Sequence, residues 1–192
     1  ADESLRADAV VCAMGGSAGP QFGTDGLGPR FAAQCGGALA PLYPCLTALQ
    51  CAKPDKRLAG IRAKAHAALY SGSTLLADYR GEVQFTDYGL SGICIMDLTR
   101  HLTPAVKSPA VELDLFPDVA EDALSALFAA RVPLLPGDTA ADFWLGLLNA
   151  KLGRALWQAA GLPDADVHRL SAAQWQKLAH IAKHWRFDGL TP

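Results

Sequence analysis

Ser17 occupies the central position of Gly15-Gly16-Ser17-Ala18-Gly19, which matches the GxSxG pattern around the nucleophile of serine hydrolases. That chemistry requires a helix immediately after the serine, because backbone N–H groups at this turn stabilise the oxyanion. Pro20 disfavours such a helix, since the residue before a proline is pushed out of the helical region. The 16 residues before Ser17 also leave no room for the strands that the hydrolase fold places upstream. A serine hydrolase using Ser17 therefore remains a remote alternative.

Two further patterns could carry chemistry, and both have simpler structural explanations. Ser91 misses the hydrolase pattern because Ile93 stands where the second glycine should be, so we expect Ser91 to cap a helix. His180 and His184 have the spacing of two zinc ligands on a helix, but Ile181 replaces the glutamate of HExxH and the sequence indicates no third ligand. We expect both histidines on a solvated helix face and predict no metal site. The opposite face is an apolar stripe made of Trp175, Leu178, Ala179, Ala182 and Trp185.

The glycines themselves support two interpretations. An apolar strand that ends in Gly15-Gly16 lets the backbone approach a ligand closely, as dinucleotide-binding folds do at the carboxyl ends of their strands. The chain contains no GxGxxG, however, and glycines that only permit a tight turn explain the pattern equally well. The residues alone leave this choice open.

Composition and charge exclude several function classes. The chain has 192 residues, 51% apolar and 19% charged, which is enough for a globular core. A net charge of -2 and a pI near 6.2 offer no positive surface, so neither nucleic acid nor a membrane is an expected partner. The five cysteines have no CxxC spacing, and four of them lie in apolar or small-residue surroundings, which indicates reduced core thiols in a cytoplasmic protein. The sequence has no apolar run near the roughly 20 residues of a membrane span, and its first residues lack signal-peptide features.

The elements that would position the glycines lie in a first region, residues 1–37. The apolar run at 7–13 is typical of a strand inside a parallel sheet, yet no partner strand precedes it, which suggests a piece of a larger protein. A short helix is predicted over 24–34, capped by Thr24 or Asp25 and ended by the glycines at 36 and 37.

A small antiparallel β-barrel or meander is predicted for the second region, residues 38–117. Its first part contains two prolines and should be irregular, becoming extended before Cys51. Small or apolar residues then alternate with charged ones, the period of half-buried strands. Strands are predicted at 61–70, 75–79, 82–85 and 110–116, with a turn at 71–73 and a helix at 89–101.

The third region, residues 118–192, is predicted to be a helical subdomain. Three segments have a capping residue followed three positions later by a polar partner, and prolines and glycines separate them. We therefore expect strands only within 7–116 and helices after Asp118. The three predicted helix starts are Asp118 to Glu121, Thr139 to Asp142 and Ser171 to Gln174.

Two long blocks resemble a family of bacterial FAD-dependent oxidoreductases that includes aminoacetone oxidase-like flavoproteins. The stretch "AMGGSAGPQFGTDGLGPRFAAQCGGALAPLYPCLTALQ" resembles the family's "ATGG(x)SYPxxGSxGDGYxxAxxLGHxxxxxxPALVPL". The stretch "GEVQFTDYGLSGICIMDLTR" is similar to its "GELLFTHxGLSGPxxLxxSR". Between them, "LAGIRAKAHAALY" resembles "LxGLSLxxVxxxL". The match covers most of residues 7–100. This chain departs from the family pattern at Met14, Ala18, Gly19, Leu27, Gly28 and Ile93.

This resemblance implies a Rossmann-like FAD-binding domain that is interrupted by an insert, made of a small β-barrel and a helical subdomain. The chain corresponds to that insert, entered from the strand before Gly15. In the family the glycine turn lies against the flavin, so Met14, Gly15 and Gly16 inherit a cofactor-binding role, with Thr24 and Asp25 as further candidates. The partner implied is the FAD-binding domain of the same parent chain, and NADH or NADPH would be the reductant.

We therefore expect an α+β insert on the substrate side of an oxidoreductase, in a fragment that lacks the dinucleotide-binding unit. The parent protein would be the flavoprotein, and the isolated chain would be inactive and bind FAD weakly or not at all. No residue can be named as catalytic. The alternative is a free-standing β-barrel that acts as an interaction module.

Overall fold

A computed structural model describes residues 6–164 and 166–192 of the chain. Residues 1–5, with which the first predicted region begins, lie outside the described residues. The backbone divides into two compact units, Ala1–Pro44 and Cys45–Pro192, which are described separately below. No helix among the described residues has both the length and the apolar character needed to cross a bilayer.

The first unit contains a 3-10 turn (Pro20–Phe22) and the helix α1 (Leu27–Gln34). The helix predicted at 24–34 is confirmed, but it begins at Leu27 and its N-cap is Gly26, at φ +79°. The strand predicted at 7–13 is wrong, because these residues have no regular structure in the unit. A strand needs a neighbour for its backbone hydrogen bonds, and none of the described residues pairs with this segment.

The second unit is built on one antiparallel sheet of six strands in the order β1-β4-β3-β2-β5-β6. Alternate residues of the central strand β2, such as Ala65, Ala67 and Leu69, are buried, as its alternating sequence predicts. The strands are β1 (Leu49–Gln50), β2 (Arg62–Ser71), β3 (Thr74–Phe85), β4 (Gly89–Ser91), β5 (Pro109–Asp114) and β6 (Trp185–Asp188).

The two edges of this sheet meet. Gln50 of β1 and Thr191, just beyond β6, exchange two backbone hydrogen bonds of 2.7 and 3.1 Å. The ring of Phe85 on β3 lies 5.7 Å from that of Trp185 and 6.3 Å from that of Phe187, both on β6. The sheet therefore closes on itself through a single bridge, with aromatic side chains packed in its interior.

Two predictions about the strands need correction. β3 runs unbroken through Gly81, where we expected two strands, because Gly81 pairs with Ala65 of β2 within a continuous ladder. A Cβ at Gly81 would lie 3.2 Å from the Cβ of Cys94. β6 lies far beyond residue 116, where we expected only helices, and pairs with β5. Its four residues alternate between aromatic and charged side chains, a pattern too short to identify without its partner strand.

The remaining helices are α2 (Ile93–Leu98), α3 (Glu121–Arg131), α4 (Ala140–Phe143), α5 (Ala150–Ala159) and α6 (Ala172–Lys183). They confirm that residues after 118 are mainly helical. α2 begins at Ile93 rather than at 89, because Ser91 belongs to β4, and Gly92 rather than Ser91 is the N-cap.

Two of the three predicted helix starts are confirmed by complete capping boxes, Thr139 with Asp142 and Ser171 with Gln174. The third is wrong in detail. α3 begins after Ala120, which offers no capping side chain. Asp118 instead accepts a 2.8 Å hydrogen bond from Arg80. The side chain of Asp118 thus forms a salt bridge with β3 instead of capping α3 as the sequence pattern predicted.

An aromatic cluster holds the helices together. Phe143 is its centre, with four ring centroids 4.9 to 5.4 Å away. All members are buried, so their packing provides much of the hydrophobic stabilisation of this part of the chain. The ring neighbours of Phe143 are Phe128, Trp144, Trp157 and Trp175.

Candidate functional site

The predicted cofactor-binding residues meet in one glycine loop of the first unit, residues 14–28. The N–H of Gly26 donates to the carbonyl of Gly16 at 3.2 Å, and the N–H of Gly19 donates to Oγ1 of Thr24 at 2.9 Å. Gly15 has φ +75°, a conformation that side-chain-bearing residues rarely adopt. Its carbonyl lies so close to Gly28 that a Cβ at position 28 would overlap it. The loop is thus folded back on itself by backbone contacts.

The side chain of Asp25 stabilises the start of α1. One carboxylate oxygen accepts from the N–H of Leu27 at 3.0 Å, and the other accepts from Arg30 at 2.9 Å. A carboxylate at a helix N-terminus occupies the position where an anionic ligand would otherwise be favoured. Asp25 therefore holds the loop against the start of α1 through these two hydrogen bonds.

The surface around this loop is apolar and exposed. Within 6–44 the structure describes no buried residue. Val10, Val11 and Phe22 are 78%, 90% and 84% exposed, which is unusual for side chains of this size. Other exposed apolar side chains of the same segment are Met14, Leu27, Phe31, Leu39, Leu42 and Tyr43. So many exposed apolar side chains within one segment are typical of a region that another domain covers.

Ser17 lacks the surroundings of a hydrolase nucleophile. It is exposed in a bend, and it is followed by the 3-10 turn at Pro20 instead of an α-helix. Among the described residues, no hydrogen bond joins its hydroxyl to a histidine or to any other general base. These observations agree with the effect expected of Pro20.

The cysteines differ more than their sequence surroundings suggest. Three of the predicted core thiols, Cys12, Cys35 and Cys45, are exposed, whereas Cys94 is buried and Cys51 half-buried. All five are free. Burial raises the pKa of Cys51 and of Cys94 to about 11. These two thiols are therefore protonated near neutral pH and are poor nucleophiles.

A cavity of about 600 Å³ lies in the second unit, between the sheet and the segment before α5. Its wall is apolar, with Leu115, Leu147 and Leu152, and Arg62 and Lys64 stand among the residues that line it. Residues of the glycine loop are not among its described lining residues.

His180 lies on the exposed face of α6, as expected, and His184 is the exposed C-cap residue that follows the helix. The predicted apolar stripe is buried from Trp175 to Ala182, but its last member is wrong: Trp185 begins β6 and pairs with Leu113 of β5. The structure also brings Glu121, at the start of α3, to both imidazoles. Sequence analysis missed this contact because 59 residues separate Glu121 from His180. No local pattern relates side chains at that separation.

Comparison with known proteins agrees with this architecture. The family described as HI0933-like protein barrel and H2TH domain matches residues 43–189. A 3-dehydro-bile acid delta(4,6)-reductase of Clostridium scindens is 31% identical over 186 residues, which cover 94% of this chain and 46% of the reductase. The chain thus spans about half the length of this curated relative.

The family match begins within two residues of the boundary between the two structural units, so the second unit corresponds to the matched domain. The glycine loop precedes the matched domain and lies in the part of the chain that only the relative covers. This domain is a module of FAD-dependent oxidoreductases, as the resemblance implied. The chain belongs to the HI0933-like family and contains its barrel and H2TH domain.

Proposed function

We propose that this chain is the insert region of an FAD-dependent oxidoreductase, together with the glycine loop through which the insert joins the FAD-binding domain. The parent protein would hold FAD, and the insert would form the substrate side of the flavin cavity. The single observation that carries the proposal is the exposed apolar surface of residues 6–44, on which the structure describes no buried residue.

The length of the relative supports a larger parent. The chain matches only 46% of a reductase, and its 192 residues contain no GxGxxG. Tight FAD binding in dinucleotide folds depends on a strand-turn-helix unit that carries those glycines and places the pyrophosphate at a helix N-terminus. The chain alone would therefore lack the main source of FAD affinity.

The glycine loop fits a flavin in one respect. A Cβ built at Gly16 meets no atom within 4 Å, so the backbone at this position is open to a neighbouring group. Gly15 and Gly16 would lie against the flavin, and Met14 would line the same face. Thr24 and Asp25 would act indirectly, because their side chains hold the loop and the start of α1.

When bound, FAD supplies hydride or electron transfer, and NADH or NADPH would reduce it. The protein contributes orientation and the exclusion of water. The relative's name describes a reductase, which supports substrate reduction as the direction of the parent's reaction. The cytoplasm is the compartment that we propose for the parent, since the three exposed cysteines are free thiols.

The test compares the purified chain with a longer protein that includes the dinucleotide-binding unit. We expect the chain to be folded and colourless, and the longer protein to be yellow with bound FAD. Titration of FAD into the chain, followed by flavin fluorescence, measures this directly. Tight saturable binding by the chain alone would contradict the proposal that it lacks the cofactor-binding unit.

A substitution in the glycine loop distinguishes an effect on FAD binding from an effect on stability. In the longer protein, Gly16→Leu should weaken FAD binding, because a side chain would occupy the open face of the loop. In the chain alone the same substitution should leave the melting temperature unchanged, since no neighbouring atom is displaced. The matched control is Ala130→Leu at an exposed position of α3, which should alter neither quantity. Equal FAD affinity in the two variants would remove Gly16 from the site.

A further inference from the structure

Four side chains converge where α3, α6 and β5 meet. Nδ1 of His180 lies 3.2 Å from Oε1 of Glu121, and Nε2 of His184 lies 3.1 Å from Oε2 of the same carboxylate. The two imidazole rings are 4.7 Å apart. Glu121, His180 and His184 each offer one ligand atom, and these three atoms all lie within 4.8 Å of one another. A single carboxylate thus faces two imidazole nitrogens.

Glu112 of β5 determines which nitrogen of His184 faces this carboxylate. Nδ1 of His184 lies 2.9 Å from Oε1 of Glu112, and it must donate because a carboxylate only accepts. In the neutral ring Nε2 then carries a lone pair, which points at an oxygen of Glu121. A carboxylate that holds the far side of a metal-binding histidine is a common arrangement in zinc sites.

Two lone-pair-bearing groups that face each other attract a cation between them. We propose that Glu121, His180 and His184 bind one Zn²⁺ ion, with Glu112 orienting His184 and a water molecule in the fourth position. Two imidazoles and one carboxylate with a water are a ligand set that zinc accepts, whereas Mg²⁺ prefers oxygen ligands.

The separations require only small movements. Zinc bonds of about 2.0 to 2.1 Å in a tetrahedron place neighbouring ligand atoms about 3.3 Å apart. From one oxygen of Glu121, Oε2, the separations are 3.4 Å to Nδ1 of His180 and 3.1 Å to Nε2 of His184, both close to this length. Only the two imidazole nitrogens must approach each other, and both rings belong to side chains that are 41% or more exposed.

Bound zinc would connect three elements of the second unit. Glu121 is the first residue of α3, and His180 and His184 are at the end of α6. Glu112 adds the neighbouring strand β5 through its hydrogen bond. Because a folded site binds the ion and an unfolded chain does not present it, zinc should stabilise the folded state.

The experiment is isothermal titration of ZnCl₂ into the 192-residue chain, with MgCl₂ as the comparison ion. The exposed thiols are first blocked with N-ethylmaleimide, because thiolates also bind zinc. We expect one equivalent of Zn²⁺ to bind and to raise the melting temperature, and Mg²⁺ to do neither. The absence of zinc binding by the wild-type chain would overturn the proposal.

Substitutions locate the ion. His180→Ala, His184→Ala and Glu121→Gln should each weaken zinc binding by at least about tenfold, and Glu112→Gln by about tenfold through the loss of an orienting partner. The matched control is His168→Ala, since this exposed histidine also pairs with a carboxylate, Asp138, but lies outside the cluster.

Circular dichroism of each variant without zinc checks that the fold is retained. The double variant His180→Ala/His184→Ala is the decisive case. Zinc affinity equal to that of the His168→Ala control in this double variant would place the ion elsewhere and refute the site.

Discussion

Gly153 lies directly against the indole ring of Trp144. A Cβ at this glycine would overlap three ring atoms of the tryptophan, and both residues are buried in the aromatic cluster around Phe143. Nε1 of Trp144 has no hydrogen-bond partner among the described residues. The helices α4 and α5 therefore approach each other closely at the point where Gly153 has no side chain.

Gly153→Ala should destabilise the chain by about 1 to 3 kcal/mol, the usual effect of overpacking a core. Alanine in a helix is normally favoured over glycine by about 1 kcal/mol, so the sign of the change in stability shows which effect dominates. Urea unfolding followed by circular dichroism measures the change. Gln158→Ala at an exposed position of the same helix is the control and should be nearly neutral. Stabilisation by Gly153→Ala would show that Trp144 moves aside.

Substitutions at two helix N-termini should change the stability of the chain in opposite directions. Ser171→Ala removes a complete capping box from α6 and should cost about 1 kcal/mol. Ala120→Ser supplies a capping hydroxyl to α3 at an exposed residue that already has extended backbone angles, φ -64° and ψ 151°. We expect it to stabilise the chain by about 0.5 to 1 kcal/mol. Thermal unfolding of both variants checks the signs, and a loss of stability in Ala120→Ser would contradict this assignment.

The five thiols should react in two classes. At pH 8, iodoacetamide should modify Cys12, Cys35 and Cys45 quickly, since these side chains are exposed. Cys94 and Cys51 should react slowly, because burial raises the pKa of each thiol to about 11 and the reactive thiolate is scarce. Mass spectrometry of peptides after timed alkylation measures each rate. In urea all five should react at similar rates, so a slow Cys94 in the unfolded chain would refute the burial explanation.

The raised pKa values of Cys51 and Cys94 predict how the stability of the chain changes at high pH. Their pKa is about 11 in the folded chain and 9.0 for an unperturbed cysteine, so the unfolded state releases protons first as the pH rises. Their contribution is complete below pH 9 and is lost as the pH rises to about 11. The melting temperature should therefore fall across this interval, and less steeply in Cys94→Ala than in the wild type.

Ser17 should be inert toward a fluorophosphonate probe, and Ser17→Ala should change no hydrolytic activity. The reason is structural: the serine is exposed, and α1 begins only at Leu27. A fluorophosphonate labels serines whose hydroxyl is activated by a nearby base. Gel fluorescence with a known serine hydrolase as positive control tests this. Stoichiometric labelling of Ser17 would restore the hydrolase hypothesis.

Local patterns identified most of the elements correctly. The alternation along β2 predicted its buried face, and the pairs Thr139 with Asp142 and Ser171 with Gln174 predicted two helix starts. These features depend on side chains within four positions of each other, whose geometry is set by the backbone period. The family resemblance was equally accessible, because it depends on residue identity along the chain.

Errors arose where a partner distant in sequence decides the structure. The run at 7–13 has a strand-like composition but no neighbour to pair with among the described residues. β6 has a sequence without a clear strand pattern, yet β5 offers it a hydrogen-bonded edge. Gly81 resembles a strand breaker, but it pairs with Ala65 of β2 and β3 continues through it. In each case the structure depends on whether a distant segment of the chain pairs with these residues.

Neighbouring residues suffice to predict the secondary-structure periods, the two capping boxes and the family. Three features depend on contacts between distant segments: the pairing of the strands, the closure of the sheet between Gln50 and Thr191, and the position of Glu121 opposite His180 and His184. The last two contacts join residues 59 or more positions apart. Both are polar contacts between segments that the surrounding hydrophobic core brings together. Because hydrophobic burial is not directional, the fold as a whole must select these partners.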